Sequence, residues 1–230
     1  HPMVVQAYLL SALEDGFPAV IEVNAQAFSD NRTTPNAFVN NVNQIACTIN
    51  FPVKQLIFSI YDLNLVLQNN QKNATLFISE LVKTGFGIFG LNVSMANIGE
   101  LVRAIENSAC GNGGMNEPLY VIDLTGVQSD PDGNYFIDPG KIGANIRQLI
   151  EGVMVDCGEQ IMERILAVRL DIGRGHDGET VFPFSKAVFE DVLNQSNDHF
   201  PNLLGAEHID HQPRSVLNAL IKAHFAYMRV

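Results

Sequence analysis

The chain has 230 residues, 47% of them hydrophobic and only 17% charged, with a formal net charge of −11. That length supports a real core without disulfides or metal, as one large domain or two small ones. The acidity, with no run of Lys or Arg, argues against nucleic acid as a partner and against an anionic membrane surface.

A charge content below the usual figure of about 25% is offset by 22 Asn, which gives a soluble but weakly self-repelling surface open to self-association. The longest apolar stretch, LIFSIYDLNLVL (56–67), falls short of the roughly 20 residues that span a bilayer, so no integral membrane segment is expected. The chain begins HPMVV. His1 is then a mature terminus after cleavage, or Met3 is the native start and the protein is cytoplasmic. Sequons at Asn31, Asn73, Asn92 and Asn194 favour a secreted glycoprotein. Cys47, Cys110 and Cys157 are too few for a disulfide scaffold.

In chain order, PAVIEV (18–23) is β-rich. TTPNAFVNNVNQI (33–45) predicts a helix capped by Thr34, with Pro35 in its first turn and Phe38, Val42 and Ile45 on one face. Val53, Leu56, Ile57, Ile60 and Leu67 suggest a second helix, and Leu76, Phe77, Leu81 and Val82 a third that ends near Gly85. Ser94 caps a fourth, carrying Ile98, Leu101, Val102 and Ile105. LYVIDLTGV (119–127) reads as a strand, and DPDGN (130–134) as a hairpin turn ahead of YFI. From Asp138-Pro139 an apolar stripe from Ile142 to Val168 predicts one long helix, followed by helices near 184–195 and 213–229. No βαβ alternation is visible. The fold expected is therefore mainly α: a single-domain, multi-helix bundle around the 139–169 helix, with a small β-hairpin or three-stranded element and a weak boundary at 110–138.

Candidate chemistry gathers in the C-terminal third. GRGHDGE (173–179) supplies His176, Asp177 and Glu179, and GAEHIDHQP (205–213) supplies Glu207, His208, Asp210 and His211. Imidazoles with carboxylates suit a divalent metal, for which His208, Asp210 and His211 are the ligand candidates. His176, Asp177, Glu179 and Glu207 are then the candidate acid–base groups. The spacing matches no zinc motif, and acids just before Pro213 also suit the N-terminal dipole of the last helix, so a polar cap is the simpler reading. Asp130, Asp132, Asn134 and Asp138 lack the Gly and bidentate Glu of an EF-hand. Two GxGxxG strings, at 85–90 and 173–178, lack the preceding strand of a dinucleotide fingerprint.

TGFGIFGLNV (84–93) is apolar and glycine-rich. Phe86, Ile88 and Phe89, with Met154 of the long helix, are the candidate lining of an apolar pocket. The function expected is a secreted, non-enzymatic protein that binds a small apolar molecule between helices. Alternatives are an oligomeric structural or interaction protein, or a metal-assisted hydrolase or lyase built on the His/carboxylate groups.

Overall fold

A computed structural model of the chain describes residues 1–29, 33–63, 71–92, 98–111, 117–124, 151–152, 155, 158–170, 204–206, 218 and 227–228. The chain divides into two compact units, His1–Leu91 with Glu100–Leu119, and Asn92–Gly99 with Tyr120–Val230.

The first unit alternates helix and strand. Helix α1 (Pro2–Asp15) leads to β1 (Ala19–Asn24), the short α2 (Gln26–Ser29) and α3 (Pro35–Thr48). A 3-10 turn (Val53–Gln55) opens β2 (Leu56–Tyr61); α4 (Gln71–Thr84), β3 (Phe86–Asn92) and α5 (Ile98–Cys110) follow. β1 pairs β2 and β2 pairs β3, both in parallel. Parallel neighbours cannot be joined by a tight hairpin, so each connection must travel back along the sheet, and α3 and α4 lie on those two crossovers.

Local signals place the helices. Thr34 Oγ1 accepts the Ala37 N–H at 3.1 Å and Pro35 occupies the first turn of α3. Its fully buried residues are Pro35, Val39, Val42 and Ala46; of the face expected on Phe38, Val42 and Ile45, Val42 is buried and the other two are half-buried. Helix α4 ends as its sequence implies, with Gly85 at φ 99° turning the chain directly into β3.

Five phenylalanines hold this unit together. Phe28 of α2 sits 5.9 Å from Phe38 of α3, 6.2 Å from Phe77 of α4 and 6.1 Å from Phe86 of β3. Phe58 of β2 lies 6.3 Å from Phe38 and 5.8 Å from Phe86. One face of the sheet is thereby fixed to its helices, at ring separations where aromatic pairs attract beyond simple burial.

In the second unit β4 (Leu119–Leu124), β5 (Ile165–Leu170), β6 (Leu204–Ala206) and β7 (Tyr227–Met228) pair in that order, again all parallel. A 3-10 segment (Glu159–Arg164) enters β5, and Arg164 lies 5.9 Å from the centroid of the Tyr120 ring.

The mainly α expectation is overturned. Residues 56–61, read as helical, form β2, and the supposed helix over 139–169 contains a 3-10 segment and then β5 at 159–170. Short apolar runs satisfy both periods, and a strand buried on both faces carries no alternation to betray it. β3 shows this directly: Phe86, Ile88, Phe89 and Leu91 are all at most 3% exposed, because they divide between two covered faces. Leu119–Leu124 is a strand as expected, but in a parallel ladder rather than a hairpin. Tyr227–Met228, within the expected last helix, is β7, while the helix at 184–195 lies outside the described residues. Cys47 and Cys110 are exposed free cysteines. No helix among the described residues is long and apolar enough to cross a membrane.

The aromatic cluster makes a quantitative demand. Phe58→Ala should lower the unfolding free energy by about 3–5 kcal/mol, and Val155→Ala, at a position 87% exposed, by under about 0.5 kcal/mol. Urea denaturation of the two variants checks this; equal losses would contradict the packing described.

Candidate functional site at the ends of β1 and β2

Side chains alternate along a strand, so the register Ile21↔Phe58, Glu22↔Ser59, Val23↔Ile60 and Asn24↔Tyr61 sorts the sheet into two faces. Ile21, Phe58, Val23 and Ile60 share the face on which Phe58 meets the helix ring of Phe38. The opposite face carries Glu22, Asn24, Ser59 and Tyr61. A parallel sheet is ordinarily apolar on both faces, so a polar set toward the strands' carboxyl ends calls for an explanation.

Two hydrogen-bonded pairs organise it. Ser59, fully buried, donates its Oγ to Glu22 Oε1 at 3.1 Å, tying the register partners together through their side chains. One residue beyond β2, Asp62 Oδ2 accepts from Asn24 Nδ2 at 2.7 Å. Asn24 is held at both ends, because its Oδ1 accepts the Gln26 N–H at 2.8 Å where α2 begins. The backbone closes the same corner, with Ala25 N–H donating to the Tyr61 carbonyl at 2.9 Å.

Asp62 itself is strained. Its φ of 55° is in the left-handed region, which costs a non-glycine residue roughly 1–2 kcal/mol. Such a conformation persists where the surroundings over-determine it, and that happens most often at functional sites. Asn24 fixes one carboxylate oxygen, and half-buried Asp62 keeps Oδ1 as an acceptor directed by a locked partner. The corner can therefore receive a hydroxyl or take up its proton, with the Glu22 carboxylate, held by Ser59, as a second acceptor group on the same face.

Sequence reasoning did not find these four residues. The signal was a single acid in PAVIEV and the SIYD string, and the helical reading of 56–67 concealed the second. Arg169 was missed as well: it is fully buried in β5, in register with Asp123 on β4 and Gly205 on β6. A lone cation inside ILAVRL was the available sign.

Phe86, Ile88 and Phe89 prove to be strand residues, and the cavity found between α4 and α5 is lined by none of them. His176, Asp177, Glu179, Glu207, His208, Asp210, His211 and Met154 lie outside the described residues. The two strings that carry most of them follow β5 and β6 in the sequence. Among the described residues no three His, Cys, Asp or Glu side chains converge as a metal site would require.

Known structures share this fold. Over its full length the chain superposes on a probable tagatose 6 phosphate kinase from Sinorhizobium meliloti 1021, with a TM-score of 0.78 and 20% identity. It also matches the YdjI aldolase from Escherichia coli K12, over its full length, with a TM-score of 0.54 and 11% identity. A protein described as a fructose-1,6-biphosphate aldolase from Coccidioides immitis matches over 98% of the chain, with a TM-score of 0.57 and 13% identity. The chain spans 62% of the length of the first and 71% of each of the others. No family model and no curated protein matches the sequence. The likeness gives the fold: a parallel α/β arrangement, TIM-barrel-like.

That finding removes the non-enzymatic carrier of a small apolar molecule, whose pocket depended on a helical bundle that is not present. The all-α reading goes with it. Asn73 and Asn92 lie in α4 and β3 rather than in turns, and these enzyme-fold likenesses give no support to secretion or glycosylation.

The strain at Asp62 predicts an order of stabilities. Asp62→Ala loses the Asn24 bond and keeps the unfavourable φ, whereas Asp62→Gly loses the bond but relieves the strain. Thermal melts should rank wild type and the Gly variant above Ala. An Ala variant at least as stable as Gly would show that the backbone there is not strained.

Proposed function

We propose that the protein is an enzyme of the aldolase type, breaking or forming a carbon–carbon bond in a phosphorylated ketose. The observation that carries this is the Asn24–Asp62 corner with Glu22 and Ser59, a preorganised acid–base set at the carboxyl ends of parallel strands. That is where folds of this architecture place their chemistry. The solved structures of similar fold support the substrate class, since tagatose 6 phosphate and fructose-1,6-biphosphate are both phosphorylated six-carbon ketoses.

In the cleavage direction Asp62 takes the proton of the substrate hydroxyl two carbons from the carbonyl. The bond between the hydroxyl-bearing carbon and the carbon next to the carbonyl breaks, the hydroxyl-bearing carbon becomes an aldehyde, and the electron pair moves onto the carbonyl fragment as an enediolate, which takes a proton back from Asp62 or from water. Asn24 holds the carboxylate in place for the transfer, and Glu22, positioned by Ser59, accepts from a further hydroxyl. Phosphoryl transfer suits the corner less well, because that chemistry relies on Lys, Arg and metal clamps on the moving phosphoryl group. The described ends of β1 and β2 carry carboxylate, amide and hydroxyl groups instead.

The test is to incubate the protein with ketohexose phosphates, with and without added divalent cations, and follow triose phosphate release in a coupled assay. Asp62→Asn preserves shape and tolerates the left-handed φ, and should reduce kcat by about 10²–10⁴ with the fold intact. Full activity in Asp62→Asn would rule out this site, and nucleotide-dependent phosphorylation without cleavage would rule out the reaction.

A further inference from the structure

Helix α1 is apolar on its outward side as well as its inward one. Leu9 and Ala12 are buried, yet Met3 is 69%, Leu10 41% and Leu13 39% exposed, at intervals of seven and three that place them on one outward stripe. A helix apolar all round is suited to burial. Its charges are also left uncompensated. Glu14 and Asp15 stand at its C-terminal end, where the macrodipole is already negative, and no basic residue lies in its last turn.

The complementary surface lies on the same unit. Between α4 and α5 runs an open groove with a volume of about 780 Å³, with Leu76 and Lys83 on one wall and Glu100, Arg103, Ala104 and Asn107 on the other. Leu76 is 70% exposed on its wall. Lys83 and Arg103 are exposed cations in a chain with only 14 Lys and Arg against 25 acids. α3 contacts both α1 and α4 and so lies between them, which keeps α1 out of its own chain's groove.

We infer that the α4–α5 groove receives α1 of a second copy of this chain, with Leu10 and Leu13 against Leu76 and Glu14 and Asp15 against Lys83 and Arg103. This is a helix laid in a groove, with apolar anchors at helical spacing and charges that select its direction. Each copy carries both helix and groove, so reciprocal docking closes a two-fold dimer.

Charge exchange in the full-length chain tests it. Light scattering over a micromolar concentration range should find a dimer for the wild type. Lys83→Glu/Arg103→Glu and Glu14→Lys/Asp15→Lys, all at exposed positions, should each give a folded monomer by circular dichroism. Mixing the two variants restores opposite charges at both contacts, so the mixture should dimerise. A monomeric wild type, a dimer that survives both reversals, or monomeric variants that stay monomeric when mixed would each overturn the inference.

Discussion

The described architecture depends most on the parallel ladder of β1, β2 and β3 and on the phenylalanine cluster that clamps helices to one side of it. Parallel pairing makes helical crossovers obligatory, and Phe28, Phe38, Phe58, Phe77 and Phe86 set where those helices land. With that face closed by aromatic rings, the other face is left for polar work. Ser59 and Glu22 pair directly behind Phe58 and Ile21 in the same register, one residue along each strand.

The polar face and the strained corner belong together. A buried hydroxyl and a half-buried carboxylate cost free energy unless each finds a partner, and here each finds one across the strand pair. Asp62 in the left-handed region adds a further cost. Folding alone gives no reason for this expense at the carboxyl end of a parallel strand, whereas a site that must present an oriented carboxylate does. The same reasoning covers Arg169, fully buried near the end of β5.

How much of this was legible in the sequence varied by element. α3, α4 and α5 were visible because amphipathic helices show their period, and the cap at Thr34 and the stop at Gly85 were read from residue chemistry alone. β1 and β4 were seen as β-rich. β2, β3 and β5 were lost because LIFSIY, FGIFGLN and ILAVRL are buried on two faces and so carry no alternation. Losing β2 removed the parallel ladder, and with it any reason to examine Asp62. The attention given to histidines followed residue type, while the organised chemistry uses an amide, two carboxylates and a serine brought together by register.

The most direct measurement of the central claim is a backbone amide NMR titration of the isotope-labelled protein with a ketohexose phosphate. If the working site is the corner formed by β1 and β2, the largest shift changes should fall on residues 22–26 and 59–62, and Asp62→Asn should weaken them. Shifts confined to α4 and α5, or no change at millimolar ligand, would contradict it.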